Sequence, residues 1–140
     1  MQKKAAIILA LILAAGIAFL YHMGCGISMF ARVSTADSGS THSKKDIRHA
    51  VSLVRSGFRD FEGCIMTELS YSAALSQEEL RDYCGPGGKN VDDLIVFEST
   101  FTTSKAFSEP TFDGRTQRNW KWIVTHTEAD GWKLAGSGYA

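Results

Sequence analysis

The sequence has no excess of charge of either sign, because 15 Lys and Arg residues balance 15 Asp and Glu residues. The basic residues form no stripe of the kind that a phosphate backbone would bind, so the pattern argues against a nucleic-acid-binding protein. Internal repeats and long low-complexity tracts are also missing, which argues against solenoids and other repeat arrays. Residues 44–140 hold 12 basic and 14 acidic residues. This segment is long enough to form one small domain with one core.

Residues that carry chemistry are scarce as well. The four histidines, at 22, 42, 49 and 126, do not have the spacing of a metal site, and we predict neither a metal nor another cofactor. No catalytic constellation stands out, so no catalytic residue is assigned. Of the three cysteines, Cys64 and Cys84 leave two alternatives open: a disulfide in an oxidising compartment, or a free Cys64 that packs as a small hydrophobe.

The first 31 residues are predicted to be a membrane anchor or signal segment. Lys3 and Lys4 precede an uncharged run that extends to Ala31, and its most apolar part, residues 5–21, is 17 residues long. That length is near the lower limit for a helix that spans a bilayer. Only Arg32 follows soon after the run, so the charge bias places the N-terminus in the cytoplasm and the C-terminal domain outside it, at the cell membrane.

Three fates of this segment are compatible with the sequence. It is retained as a signal anchor, or it is a lipoprotein signal in which Cys25 is lipidated, or it is cleaved after Ala36. Gly24 suits the lipoprotein alternative, whereas His22 and Met23 stand where a lipobox usually has Leu and a small residue. All three alternatives predict an extracytoplasmic domain. Residues 32–43 are small and polar, and we expect them to form a flexible tether.

A long amphipathic helix is predicted from about Lys44 to Gly63, with Ser43 and Asp46 as a capping pair. Its apolar stripe has the helical spacing of four and three residues and consists of Ile47, Val51, Val54, Phe58 and Phe61. After Gly63 the period becomes two, which indicates a strand. We expect its residues to alternate, with Ile65, Leu69 and Tyr71 on one face and Cys64, Met66, Glu68 and Ser70 on the other.

The remaining elements are a short helix and three strands. Ser76 and Glu79 predict a capped helix from about Gln77 to Cys84. Strands follow at 93–103, at about 118–127 and at about 132–139, with a polar connection at 104–119 that contains an Asp113-Gly114 turn. The predicted fold class is therefore α+β, with the long helix packed on a curved, mainly antiparallel sheet of about four strands and one short extra helix.

Residues 44–140 resemble an uncharacterised family of small extracytoplasmic bacterial proteins, a domain of unknown function in the nuclear-transport-factor-2-like, cystatin-related superfamily. The residues that carry the resemblance are Asp46-Ile47, Ala50-Val51, Phe61-Glu62-Gly63-Cys64, Thr67-Glu68-Leu69, Tyr71, Trp120, Trp122-Ile123, Trp132-Lys133-Leu134 and Gly138-Tyr139. The block from Phe61 to Tyr71 is the most specific of them. The family implies no activity, because its superfamily contains isomerases, dehydratases and many non-enzymatic binding domains.

The resemblance also implies a cone-shaped domain with a pocket between the long helix and the sheet. Alternation in the strands makes five residues candidates for lining it: Glu68, Tyr71, Glu98, Trp122 and His126. We expect a membrane-tethered, non-enzymatic module that binds an extracytoplasmic protein or a small ligand. The alternative is a small isomerase- or hydrolase-like enzyme that uses the pocket, and a third hypothesis is a homodimer formed through the sheet.

Overall fold

The computed structural model describes residues 2–22, 24–103 and 115–139. In chain order the elements are α1 (Gln2–His22), β1 (Arg32–Ser34), α2 (Lys44–Phe58), β2 (Cys64–Ser72), α3 (Ala73–Tyr83), β3 (Asp93–Thr103), β4 (Thr116–Thr127) and β5 (Gly131–Tyr139). The strands form one sheet in the order β1-β2-β3-β4-β5, in which β1 runs parallel to β2 and the other neighbours are antiparallel. The α+β class is confirmed, but the sheet has five strands rather than about four.

The start of α2 is where the sequence predicts it, and its end is not. Ser43 caps the helix by accepting a hydrogen bond from the Asp46 N–H, and its hydroxyl also donates to the Asp46 carboxylate. The first four residues of the predicted stripe are buried, but the helix ends at Phe58. Phe61 lies in the turn that follows, where its ring stacks on Phe58 with centroids 5.2 Å apart. Gly63, with φ of 67°, leads from that turn into β2.

The predicted alternation of β2 is wrong because the strand contains a bulge. The pairing with β3 shifts between Met66 and Glu68, so Thr67 is an extra residue on β2. The bulge moves the core-facing set from even to odd positions: Cys64 and Met66 are buried before it, and Leu69 and Tyr71 after it. A bulge therefore decides which face each candidate residue of this strand occupies.

Strand β3 has the predicted bounds and is central, with neighbours on both sides. Its four consecutive residues from Leu94 to Phe97 are all buried, because α2 and α3 cover opposite faces of the sheet. Phe97 faces the α2 side with its cross-strand partner Trp122, whereas α3 lies on the other side, where its Glu79 pairs with Lys121 of β4. Side chains on the α2 face are therefore separated by the sheet from side chains on the α3 face.

The short helix α3 begins earlier than predicted, and Ser76 is not its cap. Ser72 caps it by accepting a hydrogen bond from the Leu75 N–H, so α3 follows β2 without a loop. Ser76 is buried instead: its hydroxyl donates to the Ser72 carbonyl and accepts from the Val96 N–H. The predicted Asp113-Gly114 turn lies outside the described residues, and β4 begins at Thr116.

The space between α2 and the sheet is filled by aromatic side chains. Phe58, Phe101 and Trp122 are each at most 1% exposed, and the Phe58 and Trp122 ring centroids are 6.1 Å apart. Phe61 packs at the edge of the same cluster, with centroid distances of 5.7 Å to Phe101 and 5.2 Å to Trp122. Such rings each bury roughly 150–250 Å² and dominate the stability of a small core.

Residues 24–43 are part of the fold, so the expectation of a flexible tether at 32–43 is wrong. The Ile27 N–H donates to the Cys64 carbonyl and the Ile27 carbonyl accepts from the Met66 N–H. Downstream, β1 pairs with residues 68–70 of β2, and the Asp37 carboxylate accepts from the Ala73 N–H that begins α3. The short polar segment lacks a hydrophobic period, yet it is held by backbone pairing and side-chain caps.

Candidate functional site

A groove of about 350 Å³ lies where the chain leaves α1 and crosses α2. It is lined on one side by Leu20, Cys25, Gly26, Ile27, Ser28 and Met29, and on the other by Ser52, Arg55 and Ser56 of α2 and by Arg59, which caps the C-terminus of that helix. We call it the α1–α2 groove. The stripe of α2 that lines it is polar and basic, because its apolar stripe is used up on the sheet.

Backbone contacts hold the wall of the α1–α2 groove in place. The Gly26 N–H donates to the Arg59 carbonyl, and a Cβ at Gly26 would lie 1.9 Å from the Phe58 carbonyl oxygen. Only glycine fits so close to the end of α2. The Gly63 N–H donates to the Gly24 carbonyl on the same side. The chain that follows α1 is therefore fixed directly to the end of α2 and the start of β2.

The α1–α2 groove presents positive charge beside apolar surface. Arg55 and Arg59 are four residues apart on one helix face, and the Arg55 Nε is buried with no hydrogen-bond partner among the described residues. A neighbouring groove of about 280 Å³ shares Arg55 and adds Arg48, which extends the basic surface along α2. The acidic residues nearest to Arg55 and Arg59 along the chain are Asp60 and Glu62, in the turn after the helix, and Asp46 precedes Arg48 by two residues.

Two large apolar side chains are exposed beside the groove. Met29 is 50% exposed and Phe30 is 65% exposed, whereas the neighbouring Ile27 is only 6% exposed. Outside α1, the other large hydrophobic residue that is exposed in the described part of the chain is Tyr139. Solvent-exposed apolar residues next to a basic groove are common in interaction surfaces.

Helix α1 is long and apolar enough to cross a membrane. Its segment Gln2–Leu20 has 19 residues, a mean hydropathy of 2.1 and no residue buried against the rest of the protein. At about 1.5 Å per residue this segment is about 28 Å long, close to the thickness of a hydrocarbon core. A signal sequence has the same properties. Leu20, at the end of this segment, is also a lining residue of the α1–α2 groove.

The five residues predicted to line one pocket do not come together. Trp122 is part of the filled core, where its Nε1–H donates to the Ser99 hydroxyl at 2.8 Å. Glu68 and Glu98 lie on the opposite face of the sheet, in a shallow depression of about 130 Å³ that they share with Ser70 and Asn119. Glu68 and Tyr71 both follow the bulge and are three residues apart, so the alternation of β2 puts them on opposite faces.

Tyr71 belongs to a hydrogen-bonded cluster at the α3 end of β2. Its hydroxyl lies 2.7 Å from His42 Nδ1 and 3.1 Å from the Ser40 hydroxyl, and His42 Nε2 lies 2.9 Å from Asp93 Oδ1. Burial raises the pKa of Tyr71 above its usual 10.0. No sequence pattern pointed to His42 and Asp93, because His42 stands in a segment without periodicity and Asp93 begins a strand.

The cluster resembles an Asp-His relay, but its hydroxyl is enclosed. The His42 side chain is only 6% exposed and Tyr71 is 5% exposed, so a substrate has no room at the reacting atoms. The network ties the segment before α2 to the sheet. His126 is nearby but separate: its ring packs on Trp132 at 5.0 Å, and its Nδ1 lies 3.9 Å from Asp92.

No disulfide joins any two of the three cysteines, all of which are described residues. Cys64 is paired with Thr103 at one end of β3, whereas Cys84 lies beside the Val91 carbonyl, before the other end of that strand. Eleven residues of extended chain span about 33 Å, so the Cys64–Cys84 disulfide is wrong. Cys25 is partly buried in the α1–α2 groove. The described residues contain no group of three or more His, Cys, Asp or Glu side chains that could hold a metal ion.

Comparisons of the chain with protein-family models, with curated proteins and with solved structures found no match. What the fold and the site define is therefore a class: an α+β domain on a five-stranded mixed sheet, preceded by an apolar helix that is joined to it without a linker.

Proposed function

We propose that the protein is a membrane-tethered, extracytoplasmic binding module whose domain is held against the membrane surface by an uncleaved α1. The observation that carries this proposal is the direct junction between helix and domain. Gly24, Gly26 and Ile27 bond to the backbone of α2's end and β2 within five residues of His22. Because no flexible linker follows α1, a spanning α1 would keep the domain close to the surface of the bilayer.

The charge pattern supports the orientation. Lys3 and Lys4 precede the apolar helix, and positive residues are retained on the cytoplasmic side. With α1 inserted in this sense, the α1–α2 groove and the whole sheet lie on the extracytoplasmic side. We place the protein in the cell membrane on this basis.

The packing of residues 24–36 favours retention of α1 over the two processed forms. Cleavage after Ala36 would remove β1 and its pairing with β2. Cleavage before Cys25 would remove the Gly24 carbonyl that accepts from Gly63, and the new terminus would lie inside the partly enclosed groove. Each cut would therefore expose backbone groups that the intact chain satisfies.

A binding role, rather than catalysis, is supported by the filled core. The pocket that an isomerase- or hydrolase-like enzyme would use is occupied by Phe58, Phe101 and Trp122. The open surfaces are instead the basic groove and the exposed Met29-Phe30 pair. The partner is an extracytoplasmic protein or a small ligand, and a homodimer through the sheet stays a third prediction.

Intact mass and protease accessibility test this proposal together. The full chain, with a C-terminal tag, is produced in bacteria and purified for mass measurement. Intact spheroplasts of the same cells are treated with protease from outside. We expect the purified protein to contain all 140 residues and its domain to be digested from outside. A mass that begins at Cys25 with added lipid, or at Asp37, would refute retention, and a domain that resists protease until lysis would refute the orientation.

A further inference from the structure

We propose that the α1–α2 groove binds the phosphate of an anionic phospholipid in the outer-leaflet headgroup layer, while Met29 and Phe30 insert beside it. This inference rests on the proposed function, because it takes α1 as membrane-spanning, and it names the partner of the same surface. In that arrangement the α2 side of the domain contacts the bilayer surface, in addition to the covalent connection through α1.

The position of the groove is the first argument. Leu20 ends the apolar segment and also lines the groove, so a spanning α1 places the groove at the level where hydrocarbon gives way to headgroups. The Cys25 N–H donates to the Leu20 carbonyl, which keeps the chain turning back at that level. A soluble partner would have to reach this site through the lipid surface, whereas a headgroup is already there.

The charges are the second argument. Arg55 and Arg59 both line the groove, and Ser56 adds a hydroxyl group, whereas the Ser52 hydroxyl donates to the His49 carbonyl. The buried, unpartnered Arg55 Nε requires an acceptor that the described residues do not supply. Arginine binds phosphate oxygens through paired N–H donors, so a phosphodiester provides that acceptor. Asp60 and Glu62 follow in the turn after α2, and neither of them lines the groove.

The apolar surface is the third argument. Met29 is 50% exposed and Phe30 is 65% exposed, and they lie four and five residues after Cys25 in the chain. An aromatic ring next to basic side chains is the composition that settles at a membrane interface, with the ring at the acyl boundary and the cations at the phosphates. In water, the same pair would be a costly exposed patch.

Lipid-dependent thermal unfolding tests the proposal. The full chain is solubilised in an uncharged detergent, and Trp fluorescence reports the melting temperature after addition of phosphatidylglycerol, phosphatidylcholine or inorganic phosphate at equal phosphorus concentration. We expect phosphatidylglycerol to raise Tm by about 5 °C and the other two by less than about 1 °C. The Arg55→Gln/Arg59→Gln variant should lose this rise relative to its own baseline, which separates lipid binding from any change in fold.

A matched variant controls for net charge. Arg81→Gln/Lys89→Gln removes two positive charges from α3 and the loop after it, neither of which lines the α1–α2 groove, and should keep the full rise. Phe30→Ser should reduce it. An equal rise with phosphatidylcholine or with free phosphate, or with both double variants, would overturn the proposal. Such a failure is distinct from failure of the topology experiment, because the detergent measurement does not depend on cleavage or orientation in cells.

Discussion

At Tyr71 a single phenolic hydroxyl joins two parts of the chain that are about thirty residues apart in sequence. His42 and Ser40 approach it from the segment before α2, and Asp93 extends the network to the start of β3. These groups are largely shielded from water, where a hydrogen bond left unmade costs more than a typical bond contributes. The network therefore fastens a segment that has almost no apolar side chains of its own.

Tyr71→Phe is expected to lower the free energy of unfolding by about 1–3 kcal/mol, because it leaves the enclosed His42 ring and Ser40 hydroxyl without their shared partner. Urea unfolding of the detergent-solubilised chain, followed by Trp fluorescence, measures the change. Tyr83→Phe on α3 is the control, since the Tyr83 hydroxyl has no partner among the described residues, and it should cost less than about 0.5 kcal/mol. Equal losses in the two variants would contradict the role of the network.

Asp37 makes the stability of the folded protein depend on pH. The Ala73 N–H and then the Gly39 N–H donate to its carboxylate and hold the pKa of Asp37 below its usual 3.8. A carboxyl whose pKa is lower in the folded state stabilises fully above pH 3.8, and this contribution is lost as the pH falls through the folded value. We expect Asp37→Asn to be less stable than the natural chain at pH 6 and the difference to shrink at pH 2.5, in urea unfolding curves. A difference that is the same at both pH values would count against this account.

At the scale of elements, a helix or strand is easier to predict from the sequence when its residue pattern is longer. Strand β3 and the start of α2 are predictable because an eleven-residue run rich in apolar, aromatic and Thr residues and a four-turn apolar stripe are both clear patterns. Strand β1 has three residues and no period to read, and the bulge at Thr67 reverses the face of β2 without a residue type that marks it. Secondary structure was therefore largely predictable and the sidedness of β2 was not.

The α1–α2 groove could not be predicted from the sequence for a related reason. Arg55 and Arg59 lie outside the apolar stripe of α2, but the opposite wall, Cys25 to Met29, belongs to the uncharged run that we predict to be a membrane anchor or signal segment. Hydropathy gives the same signal for a residue in lipid and a residue packed in protein. Only long-range pairing with Cys64 and Met66 shows which of these applies at Ile27.

Gly26→Ala is expected to detach this wall from α2. The added Cβ would lie 1.9 Å from the Phe58 carbonyl oxygen, and that backbone cannot move without disturbing the end of the helix. Hydrogen exchange should show the Ile27 and Met66 amides, which are paired in the natural chain, exchanging at least tenfold faster, while Val124 in the core stays protected. The control is Gly138→Ala on β5, where a Cβ meets nothing within 4 Å, and it should change none of these rates.

At the scale of the whole molecule, the folded unit is larger than the periodic part of the sequence. Residues 24–43 supply an edge strand, the Asp37 carboxylate that holds the start of α3, and the His42 network, so they behave as part of one cooperative structure with residues 44–139. Helix α1 differs, because it makes its described contacts with the rest of the protein only near Leu20. Anchor and domain thus meet near Leu20, not at the small polar stretch that the sequence marks as a tether.

Two fragments test where the domain begins. The fragment 24–140 keeps every interaction of the N-terminal segment with the sheet, whereas 44–140 loses β1, the Ile27 pairing and the partners of Tyr71. We expect 24–140 to unfold in one cooperative transition and 44–140 to melt at least about 10 °C lower, because several hydrogen bonds and buried contacts are lost at once. Circular dichroism during heating measures both. Equal melting temperatures would mean that residues 24–43 lie on the domain without stabilising it, and the direct junction that places the domain at the membrane would then lose its physical basis.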